Sequence, residues 1–225
     1  MADQKAPEFM GNLRSFMLKV PEAIYECSGI RIFGKRIRAV LFSTDVAIIR
    51  NTNADAVISV YPFTPQPVIT QAIMDAADIP VFAGVGGGRT QGKRVLNLAL
   101  HAEHQGAIGV VLNAPTSNES VAEVCEHIDI PVVVTVVSED EDFGARIEAG
   151  ARILNVSGAS KTAPIVRRIR REYPDVAIIA TGGPTEDSIK ETIEAGANAI
   201  TWTPPSNGEV FKSIMEAYRK GQAHP

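Results

Sequence analysis

Short apolar runs rich in β-branched residues recur along the chain, separated by stretches in which apolar residues fall three and four apart. The runs near 37–43, 56–61, 80–85, 107–113, 131–137, 152–157, 176–181 and 199–203 are nearly continuous in Val, Ile, Leu and Ala. That pattern predicts strands buried on both faces of a parallel sheet. The stretches 68–77, 93–105, 121–128, 163–172, 187–194 and 209–220 carry the helical period, with a shorter one near 45–51. Ser117 with Ser120, Thr185 with Ser188, and Ser206 with Glu209 supply N-terminal caps.

Two phrases repeat through this alternation. Asp78-Ile79-Pro80-Val81 recurs as Asp129-Ile130-Pro131-Val132, with a looser echo at Asp175-Val176-Ala177-Ile178. Glu148-Ala149-Gly150-Ala151 recurs as Glu194-Ala195-Gly196-Ala197, with weaker copies at Gln105-Gly106-Ala107 and Asn53-Ala54-Asp55. Gly after an amphipathic stretch ends a helix by accepting a left-handed backbone, and Pro suits the first position of a strand. Eight alternating units with pair-repeats predict a closed (β/α)8 barrel over 37–225 rather than an open doubly wound sheet. Residues 1–36 precede it. Leu13, Phe16, Met17, Val20 and Ile24 show helical spacing, so a helical extension is expected from about residue 12. It would cross the lower mouth of the barrel or form the contact of a homodimer, with residues 1–9 as a tail.

Composition narrows the class. The chain has 225 residues, 45% hydrophobic and 21% charged, with a formal net charge of −4. A disordered chain and a basic nucleic-acid arm are excluded on those values. The basic runs Arg36-Ile37-Arg38 and Arg167-Arg168-Ile169-Arg170-Arg171 read as solvated faces, so nucleic acid is not an expected partner. No apolar run reaches the ~18 residues that a membrane span requires, and no secretory signal is evident. Cys27 and Cys125 read as reduced thiols, and a cytoplasmic protein is expected.

In such barrels chemistry sits on the loops that follow the strands. Those segments are rich in hydroxyls, amides and glycines and contain no His or Cys. Ser–His–Asp and Cys–His catalysis and a His-ligated zinc are therefore not expected. Gly86-Gly87-Gly88-Arg89-Thr90 offers consecutive glycines for an anion nest, Gly87 and Gly88 foremost, with Arg89 as a clamp. Its partial match to a P-loop fails where Arg94 replaces the magnesium-binding Ser or Thr. Glu139-Asp140-Glu141-Asp142 could hold a divalent cation, though such runs are more often solvated helix starts. His101, His104 and His127 fall near helix ends on the opposite side. No metal ligand is assigned.

Thr181-Gly182-Gly183, followed by a capped helix, is the most informative motif, since two glycines let backbone amides approach an anion. With Tyr173-Pro174-Asp175-Val176 before it and Glu194-Ala195-Gly196-Ala197 after it, residues 150–205 resemble the phosphate-binding (β/α)8 barrels. These include 2-keto-3-deoxy-6-phosphogluconate aldolase, N-acetylmannosamine-6-phosphate epimerase, thiamine-phosphate synthase and the glycerol uptake operon antiterminators. The resemblance implies a substrate phosphate held by Gly182, Gly183 and the 203–208 segment, including Thr203 and Ser206. Thr203-Pro204-Pro205 departs from it, because prolines lack the N–H that the cup needs. Asn155 stands near where the aldolase carries its Schiff-base lysine, and only Lys161 lies close, which disfavours Schiff-base chemistry.

The resulting expectation is an enzyme of lyase or isomerase type acting on a small phosphorylated or carboxylated metabolite. Gly182 and Gly183 would hold the anion, Arg89 a second negative group, and Asn113 and Asn155 would orient oxygens. Asp45, Glu139 or Lys161 would move a proton. The alternatives are a metabolite-sensing regulator of the antiterminator type and a metal-assisted hydrolase with a divalent cation at the acidic run.

Overall fold

The computed structural model describes residues 7, 9, 11, 12 and 16–222. Eight strands close into one parallel barrel: β3 (Ala39–Phe42), β4 (Ala56–Ser59), β5 (Val81–Gly86), β6 (Gly109–Leu112), β7 (Val132–Val136), β8 (Ile153–Val156), β9 (Ala177–Thr181) and β10 (Ala199–Trp202). They pair in sequence order, and β10 returns to β3 through Ile200↔Ala39, Thr201↔Val40 and Trp202↔Leu41. The helices between and after them are α1 (Val46–Arg50), α2 (Pro67–Ala76), α3 (Lys93–His104), α4 (Asn118–His127), α5 (Phe143–Glu148), α6 (Thr162–Glu172), α7 (Glu186–Glu194) and α8 (Asn207–Arg219). All eight expected strands are present, and the chain is a single (β/α)8 barrel.

The repeated phrases act as read from the sequence. Gly106, Gly150 and Gly196 stand just past α3, α5 and α7 at φ +92°, +105° and +111°. Each turns the chain straight into a buried strand. The copy at Asn53 works differently: its side-chain oxygen accepts from the Val20 N–H at 2.8 Å. Asp55, two residues on, accepts from the Arg38 and Ala39 amides at 2.7 and 3.0 Å and fixes where β3 begins.

The interior has two characters along its axis. Val40, Ala56, Ile58, Phe82, Val111, Val133, Ile153, Ile179 and Ala199 pack as one buried apolar plug in the middle and lower barrel. Between the strands and the helices lies the larger cluster, which includes Leu41, Val57, Leu112, Val134, Leu154 and Ile200. Polar side chains line the interior at the upper ends of the strands.

The N-terminal segment departs from expectation. Leu13 lies outside the described residues. Phe16 and Met17 are exposed, and Leu18 forms an isolated parallel bridge to Thr52. Glu22–Glu26 make one 3-10 turn, and β1 (Ile30–Ile32) pairs with β2 (Lys35–Ile37) as a short hairpin. Pro21 explains the loss of a continuous helix, because it disfavours helical backbone at Val20 and removes a donor. The hairpin, not a helix, closes the lower mouth: Ile32 and Ile37 pack into the apolar plug. The expected first strand divides accordingly, with Ile37 ending the hairpin and Ala39 opening the barrel.

Val20, Ala23 and Ile24 are buried in the outer cluster, and the 3-10 turn packs against α7. By contrast, no residue of α8 is buried. Burial of Ile24 leads to a direct expectation. Ile24→Ala should lower unfolding stability by roughly 2–5 kcal/mol, as in a barrel core. Denaturant unfolding would measure it, and a loss within error would show that the segment is merely laid on the surface.

Candidate functional site

At the upper ends of the strands, period-two alternation turns Thr135, Asn155, Thr181, Thr201 and Thr203 inward, together with Asn113 just past β6. With Phe42, Ile58 and Val60 they line a cavity of about 260 Å³ at the C-terminal mouth. A hydrogen-bond chain crosses it: the Asn155 amide donates to Thr135 Oγ1 at 3.3 Å, and Thr135 donates to Asn113 Oδ1 at 3.2 Å. Asn155 Oδ1 and Thr201 Oγ1 are buried without a partner.

Asn113 also borders a second cavity of about 330 Å³ between the loops after β4 and β5, lined by Tyr61, Phe63, Thr64, Arg89 and Thr90. The glycine loop here is a tight turn. The Gly87 N–H donates to the Thr90 carbonyl at 3.1 Å, and the Thr90 N–H returns to Gly87 at 3.3 Å. Gly87 sits at φ +108°, and a Cβ there would run into the Asn113 carbonyl. Gly88, at φ +61°, faces open space. The nest is thus only partly free, since Gly87 spends its amide inside the turn. Arg89 is exposed on the cavity wall and makes no hydrogen bond or ion pair among the described residues. Across from it, the Tyr61 hydroxyl accepts from the Gln66 N–H at 2.9 Å and keeps its own proton to donate. Arg89 and Tyr61 are the two ionisable side chains lining these cavities and the shallow one beside them at Phe42, Ser43 and Thr44.

Of the segments that resemble the phosphate cup, Thr181 and Thr203 line the inner cavity, whereas the Gly182 and Ser206 amides are engaged within the fold. The Gly182 N–H donates to the Thr201 carbonyl at 3.3 Å, and a Cβ there would sit 2.8 Å from Ile189 and 2.7 Å from Ile200. Gly182 is therefore required by the packing of α7. Gly183, at φ +78°, is backed by Ser188, whose hydroxyl caps α7 together with Thr185. Ser206 gives its N–H to Glu209 Oε2 at 2.7 Å in the cap of α8. None of Gly182, Gly183 and Ser206 lines the mouth cavities.

The expected proton carriers are likewise engaged. Asp45 Oδ1 accepts from Ala47 and Ile48 at 2.9 and 3.2 Å, capping α1. Glu139 and Lys161 pair with each other at 2.6 Å on the exposed surface. Their hydrogen bond holds the Glu139 carboxyl below its ordinary range and the Lys161 ammonium above its own, so both are charged at neutral pH. In the same acidic run, Glu141 accepts the Val137 amide at 2.8 Å and Asp142 caps α5.

The structure thus gathers Asn113, Asn155, Thr203, Gly87, Gly88 and Arg89 around the mouth and leaves Asp45, Glu139, Lys161, Gly182, Gly183 and Ser206 outside it. Thr135, Thr201 and Tyr61 line the same cavities without having been assigned from the sequence; the inward phase of β7 and β10 is the signal for the two threonines, and a position just past β4 is the signal for Tyr61. Among the described residues no group of three or more His, Cys, Asp or Glu could hold a metal ion. The mouth offers neutral Asn and Thr oxygens, whereas divalent cations of the magnesium kind are generally bound through carboxylates. The donor set does not fit such an ion. No helix among the described residues is long and apolar enough to cross a membrane.

No family model and no curated protein matches the chain. Solved structures do. A provisionally named phosphonomutase from Burkholderia cenocepacia J2315 superposes with a TM-score of 0.63 at 17% identity, covering 85% of this chain and 94% of that one. Phosphonopyruvate hydrolase, in complex with oxalate and Mg++, gives 0.61 at 13% identity over 93% and 87%. 2,3-Dimethylmalate lyase, of the PEP mutase/isocitrate lyase superfamily, gives 0.62 at 13% identity over 88% and 84%. At these identities the likeness carries the barrel and not the chemistry. It supports the (β/α)8 fold and lends nothing to the particular resemblance to the aldolase and epimerase.

The two loop glycines should behave differently. Gly88→Ala should cost about 1–2 kcal/mol, the ordinary penalty of a left-handed backbone. Gly87→Ala adds a collision with the Asn113 carbonyl, so its loss of stability should be clearly larger. Equal midpoints in chemical denaturation would show that the loop does not press on Asn113.

Proposed function

We propose that the protein is an enzyme of lyase or isomerase type that acts on a small carboxylated or phosphorylated metabolite at the C-terminal mouth. The observation that carries this reading is the single mouth in which Asn113 joins a cationic lobe at Arg89 to a neutral polar lobe inside the barrel. An unpaired guanidinium beside the free Gly88 and Arg89 amides suits a carboxylate or phosphate, which it can grip in bidentate fashion. Two structural neighbours, phosphonopyruvate hydrolase and 2,3-dimethylmalate lyase, are named for small acids, which supports the same class.

Proton movement falls to Tyr61 in this reading. Arg89 is permanently charged and exchanges no proton. The Tyr61 phenol is donor and acceptor at once: its oxygen accepts from the Gln66 N–H, and its own O–H remains to donate to a ligand. Arg89 lines the same cavity and would stabilise negative charge developing on the substrate. Phe42 and Val60 give the inner cavity an apolar wall.

A second reading has its own support. The inner cavity holds no ionisable group, which suits a metabolite sensor that binds without turnover. The net charge of −4 speaks against an RNA target for such a sensor.

Solvent deuterium exchange separates the two. Wild-type protein incubated in D2O with small carboxylates and phosphate esters should label a carbon of its substrate, followed by NMR. Tyr61→Phe should retain the ligand-induced thermal shift and lose exchange by about 100-fold or more. Arg89→Gln should lose both. Binding with no exchange or turnover by the wild type would replace the enzyme with the sensor.

A further inference from the structure

The inner cavity of the mouth contains two buried polar atoms that nothing among the described residues satisfies, Asn155 Oδ1 and Thr201 Oγ1. Thr201 is only 7% exposed. Such atoms are uncommon in folded proteins, because each has given up water without gaining a partner. They occur here at the upper end of the barrel, where strand ends meet a cavity.

Their chemistry is specific. Asn155 gives its amide N–H to Thr135, which passes a hydrogen bond on to Asn113 Oδ1. That chain leaves Asn155 Oδ1 as a pure acceptor. Thr201 Oγ1 can donate or accept. Asn155 Oδ1 therefore calls for a donor, and Thr201 takes either role; a neutral hydroxyl meets both by donating to Asn155 Oδ1 and accepting from Thr201 Oγ1.

From this we infer that the inner cavity takes the hydroxyl of an anionic ligand, whose carboxylate or phosphate rests at Arg89. The inference rests on the mouth reading above and narrows its substrate to hydroxyl-bearing acids or phosphate esters. A keto oxygen only accepts, so it would leave Asn155 Oδ1 unpaired and face it with like partial charge. An ammonium would enter a cavity that contains no carboxylate, at the full cost of burying an unpaired charge. A second carboxylate would meet the same cost and the Asn155 oxygen as well. Phe42, Ile58 and Val60 supply apolar surface for the carbon bearing the hydroxyl, beside the hydroxyls of Ser157, Thr181 and Thr203.

A matched set of probes tests this by calorimetric titration of the full chain. 3-Hydroxybutyrate, acetoacetate, 3-aminobutyrate and butyrate share a carboxylate and differ at one group; 2-hydroxyethyl phosphate and ethyl phosphate form the phosphate arm. The hydroxyl member of an arm should bind roughly tenfold or more tightly than its keto, amino and deoxy counterparts. Whichever arm binds identifies the anion as carboxylate or phosphate. Thr201→Val should bring the hydroxyl and deoxy members close to parity without lowering the melting temperature of the free protein, since the lost hydroxyl has no partner. Thr201→Ser should keep the preference. The wild-type panel decides the matter even where a variant fails to fold. Equal binding within an arm, or preference for the keto or amino member, overturns this inference while leaving the mouth as an anion site. Absence of binding by every probe overturns the mouth reading with it.

Discussion

The pairing of β10 with β3 is the contact on which the rest of the molecule depends. The barrel strands are only four to six residues long. An open sheet of such strands would leave two unpaired edges and no enclosed interior. Closure through Ile200, Thr201 and Trp202 removes both edges and makes the inward position of every strand face a common axis. The buried residues Val20, Ala23, Ile24 and Cys27 and the Asp55 carboxylate both act near this closure, the first covering the outside of the barrel and the second fixing where β3 starts.

Once closed, the barrel sorts its contents by height. Below, Phe82, Ile58, Val133 and Ile179 fill the interior, and the hairpin residues Ile32 and Ile37 complete the plug. The same inward rows end above in Asn113, Thr135, Asn155 and Thr201. This division is what creates a site: polar atoms are costly in the plug, and affordable only where a ligand or water reaches them. Arg170 performs a comparable task on the outside. Its guanidinium donates to the carbonyls of Val176 and Gly196 and to Asn198 Oδ1, tying α6 to the entries of β9 and β10.

Helix starts face the mouth in this fold, yet here they serve the helices themselves. Thr185 with Ser188, and Ser206 with Glu209, close reciprocal caps, and Gly182 returns its amide to β10. Backbone amides committed in this way are poor anion donors. In the proposed reading, negative charge is met instead by a side chain on the β5 loop, Arg89, which lines one cavity with Asn113.

The architecture was legible in the chain because it rests on local signals: continuous β-branched runs, helical periods, and Gly at positions such as Gly106, Gly150 and Gly196 where only a left-handed turn fits. Asn113, Asn155, Thr203 and Arg89 were legible as residues of the barrel mouth for the same reason, each standing at or just beyond the end of a strand. The N-terminal helix was misread because apolar spacing outweighed Pro21. The Ser206–Glu209 cap is legible as a local spacing, whereas the partners of Gly182, Glu139 and Lys161 were decided only in three dimensions. A donor or a carboxylate has the same identity whether free or engaged, and what it is bonded to depends on neighbours up to 22 residues away, as for Glu139 and Lys161. The sequence determined which chemical groups reach the upper face of the barrel; folding decided which of them had bonding capacity left for a ligand.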